Sequence, residues 1–530
     1  MRFRPSRILF SALLVVVASG CSRAGALGPV GQLRATGDAR AEALAQQEAT
    51  GLIGGDVAAG GLDRQQAGFD PATFLALDRN ADGRLDRSEQ LAGFGQVWQA
   101  MRALGNARRP GPAADRDEPT VPAQEYSVPH PATYGPAEAE VYIDAGEIMP
   151  AVFHTLQEAT RSIWMDLFLL GGSEGRKLAD LLVKKHQEGV DVRLLHDPGY
   201  GLAGAANAQI VPVVRHLLAN GVAVRSYPLS YMPRRKGHPL ANRFQIDHNK
   251  FAIVDGRTAM LGTMNLIDLG VMNHDVYMKV TGSAAEELAA IHAATWALRG
   301  SKPPVFPAPP SSAPALEPPP TKGLGFGLLQ ASAPATAGDA ARVTKTDIDV
   351  QDTKKLLLEA IAQARRSVHV AIFEFGDVEV ARALVAAYKR GIDVRVLCDR
   401  NANYHKYLDA FKKLKLYGTP NLVTANLLRD AGVPVKWYVP QLEDQELHMK
   451  LALIDGERAL VGSTNFTYQA FGTFRETNLD LVSTRVSARL EEMFQRDWDH
   501  RGAPVTRPTF LEKSVMAAVR AFDKFNLSWW

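Results

Sequence analysis

An α/β fold made of two copies of one half-domain is what the sequence predicts, and three observations carry it. A stretch rich in reactive side chains occurs twice, at residues 244–265 (FQIDHNKFAIVDGRTAMLGTMN) and 446–465 (ELHMKLALIDGERALVGSTN). The same succession of helical and extended patterns precedes each copy. Between the copies lies a run, SKPPVFPAPPSSAPALEPPPTKG, too rich in proline to pack as helix or sheet. The expectation is a pair of half-domains, each a mainly parallel mixed sheet flanked by helices, related by a pseudo-two-fold axis in a bilobal body.

Residues 1–20 read as an export signal: Arg2, Arg4 and Arg7 precede an apolar run, 8–18, too short to span a bilayer comfortably. The run ends Ala18-Ser19-Gly20-Cys21, similar to a bacterial lipoprotein cleavage box, with Ala18 where a Leu is usual. Cys21 is the candidate lipidated N-terminus. The only other cysteine is Cys398, so a lipidated Cys21 leaves no intrachain disulfide. The implied location is the bacterial cell envelope, lipid-anchored on the periplasmic face of the outer membrane.

Residues 21–68, rich in Ala, Gly and Gln, read as a flexible tether. Residues 69–106 contain an EF-hand-type loop. Asp78, Asn80 and Asp82 occupy ligand positions 1, 3 and 5, and Gly83 the sharp bend. Arg84 offers its carbonyl at 7, Asp86 stands at 9, and Glu89 is the bidentate carboxylate at 12. Ca²⁺ is the cation implied, in an accessory role. An EF-hand loop usually pairs with another, and no second loop is found in this chain. Residues 107–135 read as a linker.

In the first half, 136–300, EIMPAVFHTLQEA has helical spacing, SIWMDLFLL is a buried strand, GRKLADLLVKKHQEG an amphipathic helix and VDVRLLHD a further strand. After the linker at 301–340, the second half, 341–503, repeats the order: KKLLLEAIAQA, SVHVAIFEF, VARALVAAYKRG, IDVRVLCD. Residues 504–530 carry Leu511, Val515, Val519 and Phe522 on one helical stripe. That amphipathic helix docks on the second half or lies on a membrane surface. The loop of Arg234, Arg235, Lys236 and His238 is either a phosphate grip or simply solvated.

The repeated motif aligns His248, Lys250, Asp255, Gly262, Thr263 and Asn265 with His448, Lys450, Asp455, Gly462, Ser463 and Asn465. Apolar runs either side of Asp-Gly read as a β-hairpin, so His and Lys two apart share a face. With Gly256-Arg257 as the loop, His248 falls opposite Asn265 and Lys250 opposite Thr263; a one-residue change of register undoes that pairing. An imidazole, an ammonium, a hydroxyl and an amide together suit a phosphate. The candidate catalytic set is His248, Lys250, Asp255, Asn265, His448, Lys450, Asp455 and Asn465, with the two aspartates read as turn and framework residues. Asp275 and Glu476, matched in placement before a strand, are supporting candidates able to fix a His tautomer; Thr263 and Ser463 are further supporting residues.

This paired H-x-K-x-x-x-x-D pattern followed by G-(S/T)-x-N resembles the phospholipase D superfamily in its two-motif, single-chain form, over roughly 136–300 and 341–503. The first half resembles bacterial cardiolipin synthases, the second the small nuclease and cardiolipin-hydrolase branch. The resemblance implies that one His attacks phosphorus while the other protonates the leaving alcohol and then activates water or an acceptor alcohol. It gives His248 as nucleophile and His448 as acid/base, and implies no catalytic metal. It points to a phospholipid substrate, hydrolysed or transferred to an alcohol. The alternative is an exported nuclease. A net charge of +3, without a basic stripe or clustered aromatics, argues against specific nucleic-acid binding. Oligomeric state is left open.

Overall fold

The structure, a computed structural model, describes residues 62–63, 84–85, 134–197, 205–226, 246–268, 270–297, 338–347, 350–400, 421–442, 445–472 and 474–524. Cys21, the loop ligands Asp78, Asn80, Asp82, Asp86 and Glu89, and the basic loop at 234–238 lie outside the described residues.

Two short strands stand apart from the main body. β1 (Leu62–Asp63) pairs antiparallel with β2 (Arg84–Leu85), Leu62 opposite Leu85 and Asp63 opposite Arg84. β2 therefore carries loop positions 7 and 8, while β1 falls inside the stretch read as a tether. The sequence Gly-x-Leu-Asp-Arg occurs at both places, 60–64 and 83–87. β2 thus has a partner strand of like sequence, which corrects the expectation that no second such segment is present; the stretch before it carries Gly55, Val57 and Ala59 where acidic ligands would be counted.

Lobe 1 is β3 (Gly135–Ile143), α1 (Asp144–Gln157), β4 (Ser162–Leu167), α2 (Gly172–Gln187), β5 (Asp191–His196), α3 (Ala205–Ala219), β6 (Ala223–Ser226), β7 (Lys250–Val254), β8 (Thr258–Gly262), β9 (Val276–Gly282) and α4 (Ser283–Trp296). Lobe 2 repeats the order. It runs β10 (Asp339–Thr346), α5 (Asp352–Gln363), β11 (Ser367–Ile372), α6 (Val378–Lys389), β12 (Asp393–Asp399), α7 (Leu422–Asp430), β13 (Val435–Tyr438), β14 (Lys450–Ile454), β15 (Arg458–Gly462), β16 (Glu476–Val482) and α8 (Thr484–His500). β17 (Gly502–Pro504) and α9 (Phe510–Lys524) follow. β3 and β10 begin at or just before the boundaries drawn from sequence.

All fifteen strands β3–β17 form one sheet, ordered β17-β13-β12-β11-β14-β15-β16-β10-β3-β9-β8-β7-β4-β5-β6. The order reads the same from either side of the β10–β3 contact, apart from the added β17, so the duplication is also a symmetry of the sheet. The expectation of mainly parallel strands needs correction. Only β4–β5–β6 and β11–β12–β13 run parallel. The motif hairpins β7–β8 and β14–β15 are antiparallel because a tight turn, not a crossover helix, connects their strands, and the central strands β9, β3, β10 and β16 pair antiparallel as well.

Strands such as SIWMDL and KLALI are apolar along most of their length because both sheet faces are covered. In lobe 1, Ile148, Leu156, Leu178, Leu182 and Val214 from the helices pack on Ile163, Met165 and Leu194. Leu357, Ile361, Leu384 and Leu428 do the same on Val368, Val370 and Val396 in lobe 2. A third cluster belongs to both lobes: Leu288 and Ile291 of α4 and Leu490 and Phe494 of α8 cover Met278, Val280, Leu453 and Leu481. Burying such a side chain contributes about 1.5–3 kcal/mol, so separating the lobes would expose a continuous core.

α9 docks on the second half. Val515 and Met516 are buried against Leu422 and Val423 of α7, with Leu511 beside them. Val519 and Phe522 lie in the part of α9 whose side chains are outside the description.

Candidate active site

The motif turn has three residues, Asp255-Gly256-Arg257, not two. Asp255 and Gly256 both take left-handed backbone (φ 53° and 70°), as do Asp455 and Gly456 (φ 56° and 66°). The added residue moves the register by one, pairing Phe251 with Leu261 and Val254 with Thr258. His248 therefore does not stand opposite Asn265, nor Lys250 opposite Thr263. What holds Asp255 in its costly conformation is its own side chain. Its carboxylate accepts from the backbone N–H groups of Thr160, Arg161 and Ser162 at 3.0, 2.7 and 2.8 Å. Those donors hold its carboxyl down near 2 despite the opposing effect of partial burial. Asp455 does the same for Arg365, Arg366 and Ser367. The structure thus places both aspartates at the turn end of the hairpin, tying it to the start of β4 or β11.

At the other end of each hairpin the two lobes meet. The segment before β7 bridges to the segment before β16, and the segment before β9 to that before β14: Asp247 pairs with Arg475, and His274 with Leu447. Backbone bonds fix the junction, with His248 N–H donating to Arg475 O and His448 N–H to His274 O, both at 2.9 Å. Because the junction joins unlike strands, each lobe's carboxylate serves the other lobe's histidine. His248 Nδ1 lies 2.9 and 3.0 Å from the two Glu476 oxygens. His448 Nδ1 lies 2.9 Å from Asp275 Oδ1. An Nδ1–H donated to a carboxylate leaves the Nε2 lone pair for chemistry.

The carboxylates are themselves positioned by the motif hydroxyls. Thr263 Oγ1 donates to Asp275 Oδ1 at 2.5 Å. Ser463 bonds the Thr477 backbone beside Glu476 and its side chain stabilises the Glu476 anion. Lys250 and Lys450 donate to the carbonyls of His248 and His448, at 2.8 and 2.6 Å. Phe168 and Phe373 meet the two imidazoles edge-on at 4.6 and 4.8 Å. Their faces lie 5.0 and 4.9 Å from the two ammoniums. Asn265 and Asn465 flank the hairpins, and the Oδ1 of each is buried and accepts no hydrogen bond among the described residues.

Four basic groups in one buried place cannot all stay charged. Burial, then Lys250 and Lys450, push His248 well below its ordinary value. Burial and Lys450 push His448 to about 4, against the pull of Asp275. Lys250 falls to about 7 by burial, partly offset by Glu476. Lys450 falls to about 8 by burial, partly offset by Asp275 and Glu374. That each lysine also lowers the other lobe's histidine puts all four in one electrostatic unit. The carboxylates differ. Burial raises Glu476 well above its usual range. Burial acts on Asp275 in the same sense, but His448, Lys450 and Thr263 outweigh it and hold it ionised. Two imidazoles and two ammoniums that act on one another in this way have the chemistry to take a phosphate anion, the ammoniums neutralising its oxygens.

The family model described as "Cardiolipin synthase, PLD-like domain" matches residues 152–296 and 357–498, one match on each lobe. The chain belongs to this family. It is 26% identical over 423 residues to "Cardiolipin synthase" of Geobacillus thermodenitrificans (strain NG80-2), covering 77% of this chain and 76% of that one. It is 28% identical over 379 residues to "Cardiolipin synthase A" of Pseudomonas entomophila (strain L48), covering 68% of each. Among solved structures, phosphatidylserine synthase of Haemophilus influenzae Rd KW20 superposes with a TM-score of 0.53 at 12% identity, over 73% of this chain and 93% of that one. That likeness is one of fold. The chain is a phospholipase D-like phosphodiesterase/phosphatidyltransferase.

Several residues at the seam were not singled out from sequence. Arg475, 2% exposed, donates to Asp247 at 2.7 Å and Thr295 at 2.6 Å and lies 3.5 Å from Asp166. His274 is clamped between Asp144 and Asp497, 2.7 Å each way, which outweighs its burial and raises it to about 10. The signal for both was position: each immediately precedes a carboxylate that orients a histidine. Glu374 accepts from Asn465 Nδ2 at 2.9 Å. Its signal was a charge in an otherwise apolar run, IFEF.

Proposed function

We propose that the chain cleaves or exchanges the phosphodiester of phospholipids through a covalent phosphohistidine, with His248 as nucleophile and His448 as acid/base. The crosswise pairing of two imidazoles with two carboxylates carries this reading. The two steps need one imidazole neutral and the other able to hold a proton. His448 lies beside an ionised Asp275, which favours its proton. His248, pushed well below its ordinary value, offers its Nε2 lone pair.

In the first step His248 Nε2 attacks phosphorus, the P–O bond to the leaving alcohol breaks, and His448 gives that oxygen its proton. In the second, His448 takes a proton from water or an acceptor alcohol, whose oxygen displaces His248. Lys250 and Lys450 neutralise the equatorial oxygens, and Asn265 and Asn465 complete their coordination. The arriving anion raises the proton affinity of all four basic groups, so binding takes up protons. Phospholipid as substrate is supported by the names of the cardiolipin synthase relatives. The test is turnover of phosphatidylglycerol vesicles by the full chain, assayed beside single-stranded DNA. Cleavage of DNA alone would contradict the lipid reading.

Two accessory features belong to the same proposal. Cys21 anchors the chain by lipid at the outer membrane; none of the helices among the described residues is long and apolar enough to cross a membrane. Fatty-acid labelling abolished by Cys21→Ser tests the anchor. The loop ligands Asp78, Asn80, Asp82, Arg84, Asp86 and Glu89 hold Ca²⁺. The β1–β2 pairing fits this, since it fixes loop positions 7 and 8 against a partner strand. Calorimetric titration with Ca²⁺, lost in Glu89→Gln, tests it.

A further inference from the structure

The two lobes are alike at the motifs but differ at one position beside them. After β4 the chain reads Phe168-Leu169-Leu170, and after β11 it reads Phe373-Glu374-Phe375. The backbone settles that Leu169 and Glu374 are equivalent: Leu169 O accepts from Leu266 N–H at 3.2 Å, and Glu374 O from Phe466 N–H at 2.9 Å. The next residues bridge in the same way, Leu170 to Leu266 and Phe375 to Phe466. Leu169 is buried, whereas Glu374 is half-buried.

Glu374 belongs to the reaction centre by its contacts. Its Oε2 accepts from the motif residue Asn465, and its charge favours the Lys450 ammonium. Its neighbour Phe373 packs edge-on against His448. A carboxylate so close to a phosphate site repels the phosphate. Symmetry did not require it, since lobe 1 has a leucine there. A carboxylate in that place has a use if the substituent entering on the lobe 2 side brings hydroxyl groups, because ionised carboxylates accept short, strong O–H hydrogen bonds.

We propose that Glu374, held by Asn465, forms a hydroxyl-binding subsite on the lobe 2 side of the cleft for a polyol acceptor of the glycerol type. The inference rests on the phospholipid reading above. In the transfer step one acceptor hydroxyl loses its proton to His448 Nε2 as its oxygen bonds phosphorus. The P–N bond to His248 breaks, and its electron pair returns to the imidazole. Glu374 meanwhile binds a second hydroxyl of the same acceptor and so favours it over water. Lys450 beside it offsets the negative charge, which suits a neutral polyol better than an ammonium head group.

The test uses the full chain with phosphatidylglycerol vesicles, with isotopically labelled glycerol or ethanolamine added, and reads the ratio of labelled transfer product to phosphatidic acid, the hydrolysis product. That ratio is blind to a general loss of turnover, so a merely structural role would not move it. In Glu374→Ala the ratio for glycerol should fall at least about tenfold, the loss of a charged hydrogen bond. In the near-isosteric Glu374→Gln it should fall less; this variant carries the test if the alanine variant does not fold. An unchanged ratio in the folded variants overturns the subsite, as does a fall for ethanolamine alone. If the wild type leaves phosphatidylglycerol intact but cleaves single-stranded DNA, the lipid reading fails and takes the subsite with it. That outcome is visible before any variant is made.

Discussion

Nδ1 of His248 lies 2.9 Å from Oε1 of Glu476, a residue 228 positions away and in the other lobe. The reciprocal contact, His448 to Asp275, crosses the seam in the opposite sense. Neither histidine has its tautomer fixed by its own half, so two intact motifs in separated lobes would not make an active site.

Replacing the two carboxylates should therefore impair different steps, in the crossed order. Glu476→Gln removes the carboxylate charge behind His248 and lets an amide N–H face Nδ1, and it should slow formation of the covalent intermediate by roughly 10²–10⁴-fold. Asp275→Asn acts on His448 and should also slow breakdown of the intermediate, giving a burst of first product. Rapid-quench kinetics on a phosphodiester with a chromogenic leaving group separates the two patterns.

The pH profile follows from the two lysines. Each binds the phosphate only while charged, and Lys250 and Lys450 are lowered to about 7 and 8. In kcat/KM, which reports the free enzyme, activity should fall as pH rises through about 7 to 8, adding to the decline that loss of the His448 proton causes above about 4. His248 is depressed well below its ordinary value, so the nucleophile stays unprotonated into the mildly acidic range. A profile that rises through pH 8 would contradict this assignment.

Interlobe stability should depend on Arg475 and His274. Arg475→Met leaves Asp247 and Asp166 buried without their cation and should cost about 3–5 kcal/mol, read as a drop in Tm. His274 is raised to about 10 by its two carboxylates. Its contribution is full below an unfolded value near 6.5 and is lost as pH rises through about 10. His274→Asn should flatten the alkaline decline in Tm that the wild type shows over that window.

Chelation offers a separate check on the division of labour. If the calcium loop is accessory, excess EDTA should leave turnover by the folded chain within about twofold, because Lys250, Lys450 and the asparagines supply the charge neutralisation. Abolished turnover without unfolding would place a metal in the reaction.

Much of this site was readable because duplication repeats the spacing. His248-x-Lys250 and His448-x-Lys450 identify each other, and Asp275 and Glu476 are marked by matched placement before a strand. What stayed hidden depends on the third dimension. The left-handed Asp255 lengthens the turn and shifts the register by one, which no side-chain pattern records. The crossing of Glu476 to His248 arises only where the lobes join. Arg475 reads as one more charge entering a strand until Asp247 and Asp166 are brought around it. The apolar strands suggested parallel order because both sheet faces are covered, a property that buried antiparallel hairpins share.

The central claim is tested most directly by the covalent intermediate. His448→Ala, mixed with a phosphatidyl nitrophenyl ester labelled at phosphorus, whose leaving group needs no proton from His448, and quenched in alkali to preserve the P–N bond, should accumulate one label per chain, mapping to the peptide of His248. Label on no histidine, or accumulation undiminished in His248→Ala/His448→Ala, would contradict it.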